Sequence, residues 1–96
     1  MAKKVVWQSN AKEDFREIVD YLLDTWPSDV AEKFTDQIDK AQDLIQLHPN
    51  IGMRVGRLRS VRKVAVPPYY SLYYTALGEE IWILNILDNR QNPEKI

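Results

Sequence analysis

The sequence predicts an α+β fold: an N-terminal strand, an antiparallel two-helix hairpin, then a three-stranded antiparallel meander. Three observations predict it. Apolar residues recur at spacings of three and four between residues 11 and 45, β-branched and aromatic residues dominate from 61 to 87, and proline or glycine punctuates the boundaries. With 96 residues, 45% of them hydrophobic, the chain has material for one core, so residues 1–96 read as one domain.

Lys3 to Gln8, with two valines and Trp7, reads as the first strand. Ser9 or Asn10 can cap the helix that follows, and with Asn10 as the cap Glu13 stands at the third helical position and resembles a capping box. Its apolar stripe is Ala11, Phe15, Ile18, Val19, Leu22 and Trp26. Pro27 breaks the ladder, and Ser28 or Asp29 is expected to cap a second helix with the stripe Val30, Phe34, Ile38, Ala41 and Ile45. So tight a link makes an antiparallel hairpin. His48-Pro49-Asn50 ends the second helix, where an imidazolium suits the helix dipole, and residues 51–56 read as a loop because they hold two of the three glycines. Strands are then expected at Val61 to Val66, Tyr70 to Thr75 and Glu80 to Leu87, with residues 88–96 as a polar tail or final turn. The tyrosines between 69 and 74 should alternate, two in the core and two outside.

There is no cysteine, hence no disulfide or thiolate metal site, and a reducing cytoplasm fits that usage. The apolar run near the start is three residues long, too short for a signal peptide, and residues 81–87 fall far short of a membrane span. The expectation is a cytoplasmic protein without a membrane partner. Carboxylate pairs such as Asp36 and Asp39 have the spacing of a hydrated helix face, so no metal and no cofactor is expected.

Formal net charge is −1, but residues 1–50 hold six Lys/Arg against ten Asp/Glu, whereas residues 51–96 hold seven against four. Arg54, Arg57, Arg59, Arg62 and Lys63 fall within ten positions that contain no acid. Such a patch fits an anionic partner or the acidic face of a protein. A solvated loop edge, and for Arg62 and Lys63 the charged guard of an edge strand, are the plain alternatives. The last strand adds a second pointer, because Ile81 and Ile83 would fall on one face and Trp82, Leu84 and Ile86 on the other. A hairpin covers one face of so small a sheet, and the other is then left for the tail, strand one or a partner protein.

Several local patterns resemble the RelE/ParE superfamily, the toxin halves of bacterial type II toxin–antitoxin pairs of the plasmid-stabilisation type. The resemblance spans nearly the whole chain. It rests on Trp7, on Phe15, Ile18 and Tyr21, on Phe34 and Ile38, on Pro49-Asn50-Ile51-Gly52, on Arg62, and on Tyr70-Ser71-Leu72-Tyr73-Tyr74. The ending Asp88-Asn89-Arg90-Gln91-Asn92-Pro93 is its most specific part. The resemblance implies a RelE/ParE-like β-α-α-β-β-β toxin that inhibits growth and is neutralised by a cognate antitoxin, in a higher-order hetero-oligomer. It leaves the target open between ribosome-bound mRNA, cut without a metal, and DNA gyrase, bound without catalysis; an inactive relative is the third outcome.

Metal-independent RNA cleavage needs a 2′-hydroxyl activated, a leaving oxygen protonated and a charged phosphorane stabilised. The positions that match cleaving members are Arg62, Lys63 and Arg90, expected to gather at one end of the sheet, with Tyr70 or Tyr74 to stack on a base. Arg90 has the plain alternative of a salt bridge to Asp88 or Glu94. Arg54, Arg57, Arg59, Tyr74 and Trp82 are the binding candidates. Ser71 stands where cleaving members often carry an arginine, and Val64 where a second lysine would sit, so the nuclease constellation is incomplete.

Overall fold

The structure, a computed structural model, describes residues 3–56 and 58–91, with the backbone alone at Leu58, Arg59 and Gln91. Strand β1 (Lys4–Trp7) leads into helix α1 (Ser9–Thr25) and helix α2 (Ser28–Leu47). Strands β2 (Met53–Val55), β3 (Leu58–Val66), β4 (Tyr70–Leu77) and β5 (Glu80–Asp88) follow, and a 3₁₀ turn spans Asn89–Gln91. The strands form a single sheet in the order β1-β5-β4-β3-β2, parallel between β1 and β5 and antiparallel elsewhere. The predicted meander is β3-β4-β5. The segment 51–56, expected to be a loop, contains β2: three residues are too few to show an alternation, and pairing with β3 makes them a strand.

Both helix starts differ from the expected caps. Helix α1 begins at Ser9 without a side-chain cap, since the Gln8 N–H is already held by the Ile83 carbonyl and the chain turns helical as soon as it leaves the sheet. Glu13 is instead paired with Arg16 one turn on. Helix α2 begins at Ser28 directly after Pro27, whose φ of −57° is already close to helical, and Asp29 lies in its first turn where the dipole favours an anion.

The hairpin lies on one sheet face, and the α2 stripe is buried there as expected, Val30 only partly. Leu72, Tyr74, Ile81, Ile83 and Ile86 meet it from the sheet. Burying an aliphatic chain such as Ile38 or Ile45 contributes about 1.5–3 kcal/mol. A file of rings crosses the layers: Trp7 to Phe15 at 5.8 Å, Phe15 to Phe34 at 5.9 Å, Phe34 to Tyr70 at 5.2 Å. Two amides tie α2 to the first strand, with Trp7 Nε1 donating to Gln42 Oε1 at 2.9 Å and Gln46 Nε2 to the Lys3 carbonyl at 2.8 Å. Trp26, placed in the α1 stripe by spacing, instead follows the helix and is 53% exposed.

Strand β5 does not alternate throughout. Tyr74 pairs with Ile83 but Tyr73 with Asn85, so Leu84 is an extra residue and the phase changes there. Ile81, Ile83 and Ile86 are all buried, which corrects the two-face reading that put Ile86 opposite the others. The exposed large apolar residues lie mainly on the hairpin and sheet margins, among them Tyr21, Leu23, Leu47 and Met53, rather than along β5. Three of the four tyrosines, Tyr70, Tyr73 and Tyr74, are buried because β4 is the central strand; Tyr69 alone is exposed.

Beyond the end of β1, α1 supplies an acceptor to β5. Asp14 Oδ2 accepts from the Ile86 N–H at 3.0 Å and from Asn85 Nδ2 at 3.2 Å. Replacing Asp14 with Ala leaves two donors unpaired beside the core, and chemical denaturation should show a loss of about 1–3 kcal/mol; an unchanged midpoint would mean that water replaces the carboxylate.

Candidate functional site

Strand parity separates the cations expected to act together. Arg62 and Lys63 are adjacent in β3 and therefore point to opposite faces. Arg62 lies in register with Tyr74, and Val66 with Tyr70, which itself pairs with Asp88. Arg90, beyond Asp88, is thus displaced from Arg62 by at least four strand residues, about 13 Å along the sheet. The three do not form the cluster that the sequence suggested.

Each has a local engagement instead. Arg62 Nη1 donates to the carbonyls of Asn50 at 3.1 Å and Gly52 at 2.7 Å. The Tyr74 hydroxyl donates to the Pro49 carbonyl at 2.7 Å and accepts from the Gly52 N–H at 3.0 Å. Together these two side chains fasten the segment between α2 and β2. Gly52 is needed there, since a Cβ would lie 2.7 Å from the Tyr74 oxygen and 2.9 Å from the Lys63 carbonyl. Burial pushes the Tyr74 phenol up, opposed by its bond to Gly52 and by Arg62. On the other sheet face, Lys63 Nζ stands 5.9 Å from the centre of the Tyr73 ring.

Arg90 forms a fork with Asp88, Nε to Oδ1 at 3.0 Å and Nη2 to Oδ2 at 2.7 Å, so the plain salt-bridge alternative holds for Asp88. Its guanidinium also lies 4.0 Å from the centre of the exposed Tyr69 ring. The fork holds the Asp88 carboxyl below the ordinary carboxylate range against the opposing effect of burial. Tyr70 is buried against Phe34, and its phenol is pushed up first by burial and then by Asp88, with Arg90 opposing.

Among the other candidates, Arg54 is exposed on β2 in register with Arg62, and Trp82 is half-buried with its Nε1 donating to Glu80 Oε1 at 2.9 Å. Arg57 and the side chain of Arg59 lie outside the described residues, as do Asn92 and Pro93 of the specific ending. Ser71 is buried, donating to Asn89 Oδ1 at 2.9 Å, and Val64 packs against the core. His48 is exposed and closes α2 through its N–H to the Leu44 carbonyl. Among the described residues no group of His, Cys, Asp or Glu could hold a metal, and no helix is long and apolar enough to cross a membrane.

Sequence reasoning missed a groove between α1 and the end of β5. Its wider part, about 530 Å³, is bordered by Asp14, Glu17, Tyr21, Tyr70, Asp88 and Arg90. A narrower apolar part, about 240 Å³, continues past Trp26 to Pro68 and Tyr69. Tyr21 and Trp26 were visible as aromatics on a helix, but helical spacing alone cannot tell a core stripe from one that overhangs the sheet.

Residues 5–93 match the family model described as ParE toxin of type II toxin-antitoxin system, parDE, and the chain belongs to that family. The structure is similar to a chain of the chromosomal ParDE system of P. aeruginosa, with a TM-score of 0.76 and 24% identity over 91% of this chain and 96% of that one. It is also similar to a chain of the RelBE2 toxin–antitoxin complex of Mycobacterium tuberculosis (0.65; 14% identity; 92% and 99% covered) and to an arginine mutant of E. coli RelE in the free state (0.67; 16%; 96% and 88%). No curated protein matches in sequence.

Two outcomes follow from these contacts. Tyr74→Phe should cost about 1–3 kcal/mol in unfolding free energy, because the Gly52 N–H and Pro49 carbonyl lose their shared partner; a smaller loss than that of an exposed-site control would show the lock to be idle. The second concerns pH. Asp88 has a depressed folded pKa, so its contribution is complete above the unfolded value and is lost as pH falls through the lower folded one. The stability difference between wild type and Asp88→Asn should therefore be flat near neutrality and shrink only at and below the ordinary carboxylate range. A difference that disappears already near neutral pH would contradict the fork.

Proposed function

We propose that this ParE-family toxin arrests growth by binding a protein target, DNA gyrase, without catalysis, and that a cognate antitoxin holds it inactive. The observation that carries this reading is the separation of Arg62, Lys63 and Arg90. Cleavage of mRNA without a metal requires proton-transferring and cationic groups around one phosphate. Here Arg62 is occupied by two backbone carbonyls, Lys63 faces the opposite side of the sheet, and Arg90 is forked to Asp88. Buried Ser71 and core-packed Val64 supply no replacement charge. The match to the ParDE family model and the likeness to the P. aeruginosa ParDE chain support the same side of the choice.

The antitoxin has its own support. Exposed Tyr21, Leu23, Trp26, Leu47 and Met53 amount to much apolar surface for a chain of this size, and a resident partner would cover it. Arg54 and its neighbours in sequence, Arg57 and Arg59, would contribute salt-dependent contacts to either partner.

Purified toxin should block supercoiling by gyrase and leave ribosome-bound mRNA uncut. Arg90→Ala should then reduce growth arrest by far less than the hundredfold to thousandfold loss typical of removing a group that stabilises transition-state charge. Cut mRNA, or an Arg90→Ala loss of that larger size in a folded protein, would favour the nuclease instead.

A further inference from the structure

The hollow between the end of α1, the first half of α2 and the turn from β3 to β4 is walled mainly by rings. Tyr21, Trp26, Phe34, Tyr69 and Tyr70 surround about 240 Å³ of space, and Pro68 closes the side of the turn. Tyr21, Trp26 and Tyr69 are each about half exposed although they border the same hollow, so their ring faces are not spent on the core. The two helices carry ten carboxylates between them, yet no carboxylate among the described residues borders this space. Two cations do, and they differ. Arg90 is answered by the Asp88 fork, and its guanidinium lies 4.0 Å from the centre of the Tyr69 ring. Exposed Lys33 has no hydrogen bond or ion pair among the described residues.

We propose that this hollow is a binding site for a small aromatic carboxylate, whose one or two fused rings lie among Trp26, Tyr69 and Pro68 and whose acid group pairs with Lys33. The inference goes beyond growth arrest and holds whichever target the toxin takes. Size, wall chemistry and charge each select that class. A cavity of about 150 Å³ with apolar walls is enough for one benzene ring. The larger hollow therefore takes a short ring system with an acidic arm, and it falls below the ~300–1,000 Å³ that hold drug-sized ligands. Aromatic walls favour a planar guest, because rings attract one another edge-on or offset. A cluster of rings can also hold a cation, but here Arg90 already takes a face of Tyr69 and Lys33 borders the same space, so a further positive charge meets repulsion. A neutral guest would cover Lys33 without answering its charge, and a small hydrophilic anion would gain nothing from the rings.

The test is calorimetric titration of the purified full-length protein, near neutral pH, with probes of similar shape and different charge: naphthoate, naphthamide and naphthylmethylamine. Naphthoate should bind about tenfold more tightly than either of the others at low ionic strength, with the gap narrowing as salt is raised. Lys33→Gln should remove that preference and leave the affinity for naphthamide unchanged. Trp26→Ala should weaken naphthoate and naphthamide alike, at every salt concentration. Lys12→Gln, which removes an equal charge near the opposite end of α1, should change neither. Thermal unfolding of the unliganded variants separates a lost site from a lost fold, and naphthoate should raise the wild-type midpoint in proportion to its occupancy. Naphthamide or naphthylmethylamine binding as tightly as naphthoate overturns the proposal. So does an unchanged naphthoate affinity in folded Lys33→Gln or Trp26→Ala, and so does naphthoate that gives neither heat nor a midpoint shift at millimolar concentration.

Discussion

One extra residue in β5 sets the terms for much of the molecule. Leu84 interrupts the pairing with β4, and without that shift strict alternation would have carried Ile86 to the face opposite Ile81 and Ile83. With it, all three isoleucines are buried and the helices have a continuous surface to cover. The bulge also coincides with the end of β1, so the sheet loses its outer strand where β5 changes phase. Asp14 makes this tolerable. Its single carboxylate meets the Ile86 N–H and the Asn85 amide, tying α1 to β5 at the point where strand pairing gives out. The groove opens beyond this point, bordered by α1 and by the end of β5.

Register then decides what the basic residues can do. Adjacent positions in a strand face opposite ways, so a pair such as Arg62 and Lys63 serves one site only if a bulge or strand end intervenes, and β3 carries neither between them. Arg62 faces the side of Tyr74 and the segment after α2; Lys63 faces Tyr73. Arg90 belongs to a third neighbourhood, where the chain leaves β5 and the Asp88 fork leans on Tyr69. The three cations expected to share one site have become three separate local contacts.

What the sequence made legible follows the range of the physical signal. The α2 stripe was readable because five apolar residues on one helical face need only the 3.6-residue period. Strands β3, β4 and β5 were readable because β-branched and aromatic residues sit between proline and glycine breaks. Strand β2 was not, since its three residues become a strand only through pairing with β3. Likewise the true start of α1 depends on a bond from Gln8 to Ile83, seventy-five residues away in the chain, and no local cap could announce it. Trp26 misled for the same reason: it continues the spacing of the stripe one step past the last residue that the sheet can cover. Among site residues, the Arg90 to Asp88 pair was legible as a neighbour effect, while the role of Asp14 was invisible without the fold.

The residues that carried the family resemblance now have physical roles, and those roles explain why the resemblance identifies a scaffold more readily than a target. Pro49, Asn50 and Gly52 supply the backbone groups that Tyr74 and Arg62 hold, and Gly52 is small because a phenol occupies the space a side chain would need. Phe15, Phe34, Tyr70 and Trp7 form the file of rings that joins hairpin to sheet. Ser71 and Asn89 bond to each other across the end of two strands. Each of these serves the fold of this chain, whatever its surface grips. Glu17, Trp26 and Arg54 are of another kind: exposed, chemically distinct, and outside the contacts that hold the sheet and hairpin together.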